Sequence, residues 1–437
     1  MNSWRIPGAR RIDVDLRVPG DKSITHRALL FAHMSSTPVR IEAPLDAEDT
    51  RRTFAAIEAL GSEIQEADGA WTVVPGSAST ADGDIDCGNS GTTMRLLAGM
   101  LAAGAGRWSL TGDRSLLGRP MGRVVDPLRA MGARIEGREG GALAPLHIEG
   151  RVLESGIVHE LPVASAQVKS AILLAALRSG VSVSIREPGP SRDHTERMLE
   201  ACGRGVTSEG GFLRLQGIPG PLTIPSAVRV PGDLSSAAFW MVGAAVTGGT
   251  ATVRDVGLNP TRTGVIDVLK SAGVSVEIEH LRIEAGETVG DVRVSRSQGG
   301  LVPFEVHGDR LVRCIDEIPV LGVLAALAPG RSVFADAAEL RVKESDRIHA
   351  TVKGLQAFGV VAHETPDGFV VEGGGPVSAA TVDSGGDHRM AMSLAILAHA
   401  ARGESRIKGA EVAAVSYPGF ADVLSLSTEV QGEREVV

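Results

Sequence analysis

Lysine, arginine and hydroxyl residues recur where short strand-like runs lead into Ala- and Leu-rich helical stretches. The first of these helix starts reads Gly20-Asp-Lys-Ser-Ile-Thr-His-Arg27, the second Cys87-Gly-Asn-Ser-Gly-Thr-Thr-Met-Arg95, and the third Ser165-Ala-Gln-Val-Lys169. The first turn of a helix carries unpaired N–H groups and a partial positive charge, so it binds phosphate and carboxylate groups. These segments therefore predict binding of a small molecule with several negative charges.

Acidic side chains join the basic ones in the second half of the chain. Asp316-Glu317 and Asp387-His-Arg389 stand at two further helix starts, and Lys343-Glu344-Ser-Asp-Arg347 precedes another helix. Taken singly, Ser, Asp and Asn at such places are ordinary helix caps, and charged runs are ordinary solvated networks. Because basic residues recur at corresponding places in separate segments, we favour a cationic cleft that also contains acidic groups.

The elements that carry these residues repeat about every 70 residues. Five helical stretches end in Leu or Ile, three residues and a glycine, and the glycines are Gly61, Gly132, Gly203, Gly273 and Gly359. A glycine in that position predicts a left-handed C-terminal cap. The helix starts near Asp21, Asn89, Ser165, Asp233, Asp316 and Asp387 alternate with these glycines. The pattern predicts six α/β units, of which the sixth is weakest because its second helix, near Phe420 to Leu424, lacks the glycine.

One longer internal match predicts the domain boundaries. Val18-Pro-Gly-Asp-Lys-Ser23 reappears as Val230-Pro-Gly-Asp-Leu-Ser235, 212 residues later. We interpret the two copies as hinges, near 18–22 and 230–234, between a lobe of residues 20–231 and a lobe of residues 1–19 plus 232–437. The alternative is a single doubly wound sheet in which the spacing is coincidental.

Composition and missing motifs exclude several functional classes. The net charge of −9 disfavours nucleic acid and anionic membranes as partners. The three cysteines, Cys87, Cys202 and Cys314, show no metal-ligand spacing, and reduced thiols fit a cytoplasmic protein. No apolar stretch reaches the roughly 20 residues that span a bilayer, and neither a signal core, a GxxxxGK[ST] loop, GxGxxG, HExxH nor GxSxG occurs. Metal-dependent and nucleotide-fold enzymes are therefore disfavoured.

Eight segments, in order along nearly the whole chain, resemble one enzyme family. They are PGDKSITHRALL, GNSGTTMRLL, GRPM, SAQVKSAILLA, SRDHTERML, IDEIPVL, KESDRI and DHRMAM. Together they are similar to the EPSP synthase family of enolpyruvyl transferases. The resemblance implies an α/β fold of six βαβαββ repeats, arranged as two domains of three (an inside-out α/β barrel). It also implies a monomer that transfers the enolpyruvyl group of phosphoenolpyruvate to the 5-hydroxyl of shikimate 3-phosphate, without metal or organic cofactor, and that glyphosate inhibits by competing with phosphoenolpyruvate.

The resemblance also implies roles for individual residues. The shikimate 3-phosphate ligands would be Lys22, Ser23, Arg27, Ser165, Ala166, Gln167, Ser191, Arg192, Asp316 and Lys343. The phosphoenolpyruvate ligands would be Lys22, Gly91, Arg119, Gln167, Arg347 and Arg389. Lys22 would thus contact both substrates. Asp316 would be the base for the 5-hydroxyl proton, and Glu344 the acid that protonates the methylene carbon.

Some family members use a lysine of the C-terminal tail at the phosphoenolpyruvate site, where this chain has Val415. We therefore assign no tail residue to that site, and we leave open whether Lys408 belongs to it.

A rival within the fold is the UDP-N-acetylglucosamine enolpyruvyl transferase. That enzyme has asparagine at the position of Ser23 and a cysteine in the loop of Leu116–Pro120, so both positions argue against it. A paralogue acting on a secondary metabolite, and a non-catalytic protein that binds a phosphorylated metabolite, are further alternatives. The presence of both Asp316 and Glu344 disfavours the last.

Overall fold

The computed structural model describes residues 3–76 and 82–429. The helices are α1 (Lys22–His33), α2 (Glu48–Ala59), α3 (Gly91–Ala102), α4 (Arg114–Leu117), α5 (Gly122–Ala130), α6 (Ala166–Ser179), α7 (His194–Ala201), α8 (Leu234–Thr247), α9 (Gly264–Ser271), α10 (Gly308–Val312), α11 (Ile318–Leu327), α12 (Arg347–Ala357), α13 (His388–Ala400) and α14 (Phe420–Glu429). Short 3-10 helices at Ile315–Glu317 and Ala338–Val342 precede α11 and α12.

The strands are β1 (Ser3–Ile6), β2 (Asp13–Arg17), β3 (Val39–Glu42), β4 (Glu63–Ala67), β5 (Ala70–Val74), β6 (Gly83–Asp86), β7 (Arg107–Thr111), β8 (Arg134–Arg138), β9 (Leu143–Glu149), β10 (Ile157–Glu160), β11 (Val183–Arg186), β12 (Val206–Glu209), β13 (Phe212–Leu215), β14 (Ala227–Arg229), β15 (Thr250–Gly257), β16 (Val274–Glu284), β17 (Glu287–Arg296), β18 (Glu305–Val306), β19 (Gly330–Phe334), β20 (Val361–Thr365), β21 (Gly368–Gly373), β22 (Thr381–Asp383) and β23 (Ser405–Lys408).

The strands form six sheets in the described part of the chain, one for each repeat expected from the sequence. In the second repeat the strand order is β6-β7-β9-β8, with β6 parallel to β7 and with β9 antiparallel to both β7 and β8. The sheets β10-β11-β13-β12 and β18-β19-β21-β20 have the same order. A helix connects the first two strands and another precedes the final hairpin, so the βαβαββ prediction is confirmed.

Two repeats take their leading strand from a distant part of the chain. The sheet of the first repeat begins with β14, which lies parallel to β3, and the sheet of the fourth begins with β2, which lies parallel to β15. The sixth sheet has only three strands, in the order β1-β23-β22, and its antiparallel strand β1 comes from the N-terminus. The repeat that was weakest in the sequence therefore completes its sheet with a strand outside its own segment.

The chain divides into two compact units, which we call the inserted lobe and the second lobe. The inserted lobe contains residues 20–230 together with 283–287, and the second lobe contains the rest of the described chain. This division differs from the expected one at residue 231 and at 283–287. The short segment groups with the inserted lobe because buried Glu287 bonds His194 at 2.7 Å and the Gly286 carbonyl accepts a bond from Arg197.

The first helix of each repeat lies in the core of its lobe. All residues of α8 from Leu234 to Val246 are buried, as expected for a helix that is apolar on every side. In the inserted lobe, α3 and α6 approach closely at Gly99, where an added Cβ would lie 2.1 Å from the Ala171 carbonyl oxygen. Ala- and Gly-rich helices thus replace bulky aromatic residues in these cores, as the scarcity of aromatic residues requires.

The five glycines that end the helical stretches all adopt the predicted left-handed conformation. Their φ values are 97° at Gly61, 88° at Gly132, 69° at Gly203, 82° at Gly273 and 84° at Gly359. Each lets the chain leave a helix and enter the following strand without the steric cost of a Cβ atom. The three cysteines are buried free thiols, and among residues 3–76 and 82–429 no helix has the length and apolar character needed to cross a bilayer.

Candidate active site

The three core helices of the inserted lobe differ in how their N-termini are capped. The Asp21 carboxylate accepts the Ile24 N–H at 2.9 Å, and the Ser90 hydroxyl accepts the Thr93 N–H at 3.3 Å. At α6, by contrast, the Ser165 side chain makes no capping bond. The first N–H groups of α6, including those of Ala166 and Gln167, therefore have no side-chain cap and are suited to an anionic ligand.

Arg27 is a buried cation whose hydrogen-bond partners, within the part of the chain that the structure describes, are all uncharged. Its guanidinium donates to Thr195 Oγ1 at 2.7 Å, to Ser170 Oγ at 2.7 Å and to the Ser23 carbonyl at 2.9 Å. Burial lowers the pKa of Arg27 to about 10, although the charge of Glu196 opposes that change, and repulsion from Arg192 reinforces it. Arg27 thus stays protonated at neutral pH, and its charge is available to an anion.

Lys22, next to Ser23 at the start of α1, has a carboxylate partner. Its Nζ lies 3.0 Å from Asp49 Oδ2, and both side chains are largely shielded from solvent. Asp49 is the second residue of α2, in the part of the first repeat that has no helix-start motif. The sequence reasoning therefore missed it, because only the tertiary packing of α1 on α2 brings the two residues together.

Gly91, Arg119 and Gln167 come together around the start of α3. Arg119 donates to Asn89 Oδ1 at 2.6 Å, and its buried Nε atom has no hydrogen-bond partner among the described residues. Gln167 donates to Thr92 Oγ1 at 2.9 Å and accepts from Arg95 at 2.5 Å. Arg95, which the site prediction left out, is thereby fixed between the starts of α3 and α6.

Gly91 is not required by the backbone conformation, because it lies inside α3 and its φ is outside the left-handed region. A Cβ added there would lie 3.3 Å from Arg95 Nη1 and 3.4 Å from Arg119 Nη1. The space above Gly91 is therefore bounded by two guanidinium groups, which is a suitable environment for a phosphate or carboxylate.

The third helix start contains a lysine that does not serve as a free cation. Lys169 is buried, and its Nζ lies 2.9 Å from Glu187 Oε2 and 2.7 Å from Glu196 Oε1. Burial alone would lower the pKa of Lys169, but the two carboxylates outweigh it and raise that pKa. Glu187 also accepts bonds from the Ser165 N–H and the Ser191 hydroxyl, both at 2.8 Å.

In the second lobe, the predicted residues surround the guanidinium of Arg347, which is only 2% exposed. Its Nη2 lies 2.7 Å from Glu344 Oε2, its Nε lies 2.8 Å from Asp387 Oδ2, and its Nη1 lies 3.6 Å from Asp316 Oδ1. Burial would lower the pKa of Arg347, but these carboxylates raise it. Burial would likewise raise the pKa of Asp387, but Arg347 holds it below its ordinary value.

Asp316 is the point at which three basic side chains meet. Besides Arg347, Arg389 Nη2 lies 3.7 Å from its Oδ2 atom and Lys343 Nζ lies 4.0 Å from its Oδ1 atom. Arg389 also donates to the Asp316 carbonyl at 2.9 Å. Asp316 and Glu344, 28 residues apart in the chain, therefore lie against the same guanidinium.

The predicted site residues thus fall into two sets, each assembled within its own lobe. The inserted lobe contains Lys22, Ser23, Arg27, Gly91, Arg119, Ser165, Ala166, Gln167, Ser191 and Arg192, and the second lobe contains Asp316, Lys343, Glu344, Arg347 and Arg389. In residues 3–76 and 82–429, no group of three His, Cys, Asp or Glu side chains is arranged to hold a metal ion.

Comparison with known proteins identifies the family. The family model for EPSP synthase (3-phosphoshikimate 1-carboxyvinyltransferase) matches residues 6–424. The chain belongs to the EPSP synthase family. A 3-phosphoshikimate 1-carboxyvinyltransferase of Synechococcus sp. (strain RCC307) is 48% identical over 441 residues, covering 97% of this chain and 99% of the relative. One of Geobacter sp. (strain M21) is 45% identical over 429 residues, with the same two coverages, 97% and 99%.

Solved structures agree with this EPSP synthase membership. The EPSP synthase of Acinetobacter baumannii superposes with a TM-score of 0.85 at 39% sequence identity, covering 98% of both chains. The enolpyruvyl transferase NikO from Streptomyces tendae superposes with a TM-score of 0.77 at 18% identity, covering 97% of this chain and 96% of NikO. At that identity NikO shows a shared fold alone. The predicted two-lobed enolpyruvyl transferase fold is confirmed.

Proposed function

We propose that this protein transfers the enolpyruvyl group of phosphoenolpyruvate to the 5-hydroxyl of shikimate 3-phosphate and releases phosphate. The observation that carries this proposal is the position of Asp316 and Glu344 on one buried guanidinium, that of Arg347. The reaction needs an acid and a base at one tetrahedral carbon, and two carboxylates on a shared cation supply that pair.

In the addition step, the 5-hydroxyl oxygen forms a bond to C2 of phosphoenolpyruvate while the methylene carbon C3 takes up a proton. Asp316 accepts the hydroxyl proton, and Glu344 delivers the proton to C3. The product is a tetrahedral intermediate that carries a methyl group and the phosphate. In the elimination step, the methyl group returns a proton to Glu344, the C2–C3 double bond re-forms, and the C2–O bond to phosphate breaks. The departing phosphate takes up the proton that Asp316 had accepted, which regenerates the base.

Cations hold the substrates in position against the repulsion between their negative charges. In this proposal Lys22, Ser23, Arg27, Ser165, Ala166, Gln167, Ser191, Arg192, Asp316 and Lys343 bind shikimate 3-phosphate, and Lys22, Gly91, Arg119, Gln167, Arg347 and Arg389 bind phosphoenolpyruvate. Arg27 supports this division because its hydroxyl and carbonyl partners leave its charge unneutralised by direct ion pairing. Fixed guanidinium groups also stabilise the charge of the intermediate without reorganising during the reaction.

The proposal is tested by incubating the protein with both substrates, and with each alone, while free phosphate is assayed and the organic product is identified by mass spectrometry. We expect phosphate and 5-enolpyruvylshikimate 3-phosphate only when both substrates are present. Turnover with UDP-N-acetylglucosamine in place of shikimate 3-phosphate would contradict the proposal that shikimate 3-phosphate is the acceptor. Binding of both substrates without turnover would indicate a non-catalytic metabolite-binding protein instead. We further propose a cytoplasmic monomer, in keeping with the three buried free thiols.

A further inference from the structure

Glu187, which follows β11, connects two segments that carry proposed ligands of shikimate 3-phosphate. Its Oε1 atom accepts the backbone N–H of Ser165 at 2.8 Å, and its Oε2 atom accepts the hydroxyl of Ser191 at 2.8 Å. Ser165 begins α6, whereas Ser191 lies in the loop before α7. A single carboxylate therefore fixes the distance between the two segments.

The bond to Ser165 is made by its backbone and leaves its side chain unused. The Ser165 hydroxyl makes no capping bond, so it stays available to a ligand together with the first N–H groups of α6.

Lys169 is the ion-pair partner of Glu187. The ammonium group lies 2.9 Å from Glu187 Oε2 and is itself buried, with Glu196 as its second partner at 2.7 Å. Glu187 thus receives three donors, which a carboxylate can satisfy with its two oxygens. When the Ser191 hydroxyl donates to a phosphate oxygen instead, Lys169 still donates to Oε2, so ligand binding does not leave a buried oxygen unpaired.

We propose that Glu187 is a positioning residue for the phosphate of the acceptor: before the acceptor binds, it holds Ser165 and Ser191 at the separation at which both can contact one phosphate. The inference rests on the proposed function, because it assigns the acceptor phosphate to these two segments. Glu187 itself does not touch the substrate. Its loss is therefore expected to weaken acceptor binding while leaving the chemical step and phosphoenolpyruvate binding intact.

The decisive variant is Glu187→Gln, which keeps the size of the side chain. An amide has one acceptor oxygen and one NH₂ group, which is itself a donor. At least one of the three donors around position 187 (Ser165 N–H, Ser191 O–H and Lys169 Nζ) therefore meets the NH₂ group instead of an acceptor. We expect the Kd of shikimate 3-phosphate, measured by calorimetry without phosphoenolpyruvate, to rise at least about ten-fold, the size typical of a lost hydrogen bond to a charged group. The kcat and the KM of phosphoenolpyruvate, measured at saturating shikimate 3-phosphate, should stay within about three-fold of wild type.

Glu187→Asp is the second variant, because it keeps the charge beside Lys169 but is one methylene too short to reach both serines. We expect its Kd for shikimate 3-phosphate to lie between those of wild type and Glu187→Gln. If the glutamine variant does not fold, the Kd of the aspartate variant tests the inference.

Glu160→Gln is the matched control: Glu160 is paired with Arg186 at 2.5 Å on the same sheet and undergoes the same charge change. We expect wild-type affinity from it.

Three results would overturn the inference while the proposed function stands: wild-type Kd in both Glu187 variants, equal losses for the two substrates, or a Glu160→Gln variant as weak as Glu187→Gln. A wild-type protein that neither binds shikimate 3-phosphate nor releases phosphate would overturn the proposed function, and this inference with it.

Discussion

The two lobes hold the arginines among their predicted site residues in different ways. In the inserted lobe, Arg27 is bonded to two hydroxyls and a carbonyl, and Arg119 is bonded to an amide oxygen and a hydroxyl. In the second lobe, Arg347 is bonded to Glu344 and Asp387 and lies near Asp316, which is also near Arg389. Neutral groups thus orient Arg27 and Arg119 in the inserted lobe, whereas carboxylates lie against Arg347 and Arg389 in the second lobe.

We infer from this contrast that the inserted lobe mainly binds anions and that the second lobe mainly transfers protons. A cation oriented by neutral groups keeps its field and attracts an anion without first breaking an ion pair. A cation surrounded by carboxylates contributes less field but holds the acidic groups close to one another, so that both can reach one bound substrate. Lys22, paired with Asp49, and Lys169, paired with Glu187 and Glu196, show that the inserted lobe also uses carboxylates, although for its lysines.

The largest effect should come from the carboxylates of the second lobe. We predict that Asp316→Asn and Glu344→Gln each lower kcat by about two orders of magnitude or more, because each removes one of the proposed proton-transfer groups. The Kd of shikimate 3-phosphate should change far less. Glu364→Gln serves as a control, since Glu364 lies in the same lobe and pairs with His349 at 2.8 Å. A variant at Asp316 or Glu344 with near-normal kcat would remove that residue from the mechanism.

A cation of the inserted lobe should affect binding rather than turnover. We predict that Arg27→Gln raises the KM of shikimate 3-phosphate by about 30-fold or more, because the loss of a desolvated charge partner costs roughly 2–5 kcal/mol. The kcat at saturation should fall by much less. Steady-state kinetics with each substrate varied in turn measures both. If kcat fell as far as KM rose, the proposed difference between the lobes would be wrong.

Gly91 tests the space between the two arginines of the inserted lobe. We predict that Gly91→Ala folds normally, raises the KM of phosphoenolpyruvate by a few-fold, and raises the inhibition constant of glyphosate by a larger factor. The reason is that the new methyl group would lie 3.3 Å from Arg95 and 3.4 Å from Arg119, and glyphosate is longer than phosphoenolpyruvate. The two constants, compared between wild type and variant, check this prediction.

Equal changes in the KM of phosphoenolpyruvate and in the inhibition constant of glyphosate would contradict the assignment of Gly91 to the phosphoenolpyruvate site. A wild type that glyphosate does not inhibit would contradict it too.

Gly99→Ala is the structural counterpart in the same helix. Its Cβ would lie 2.1 Å from the Ala171 carbonyl oxygen, so we expect it to lower the melting temperature strongly, which Gly91→Ala should not do.

The smallest effect on activity, but a measurable one on stability, should come from buried histidines. Burial lowers the pKa of His26 in the inserted lobe to about 3, and that of His399 in the second lobe to about 4. In the unfolded chain histidine titrates near 6.5, so below that pH only the unfolded state gains the proton. Each histidine therefore contributes stability that is present above about pH 6.5 and is lost as the pH falls.

From this we predict that lowering the pH from 7.5 to 5.0 costs about 2 kcal/mol of unfolding free energy for each such histidine. The variant His26→Gln should reduce that loss in the inserted lobe only. Amide hydrogen exchange of α3, compared with that of α8 in the second lobe, measures the two lobes separately. An unchanged pH dependence in α3 would show that His26 is protonated in the folded protein.

The sequence predicted those features that depend on local geometry. Gly61 and its four counterparts were identifiable because a positive φ favours glycine whatever the surroundings. The helix starts at Asp21 and Ser165 were identifiable because unpaired N–H groups select a few residue types. Asp316 and Glu344 were placed in one site by the resemblance, and the structure brings them to one guanidinium.

Other features depend on tertiary packing and left no local signal. Nothing in the sequence near Lys169 shows that it pairs with Glu187 and Glu196, and its place in a helix-start motif indicated an anion ligand instead. Asp49 is one of two acidic residues in the first turn of α2, where such residues are common for reasons of helix electrostatics. The leading strand β14 has three residues, too few for a periodic pattern.

The strands taken from distant segments also set the order in which the polypeptide can finish folding as it leaves the ribosome. The first sheet needs β14, so the inserted lobe cannot close until residue 229 has been made. The partner of β1 is β23, about 400 residues further along the chain. Because synthesis proceeds at roughly 5–20 residues per second, β23 is made on the order of 20–80 seconds after β1. Throughout that time the backbone groups of β1 that bond β23 lack this partner.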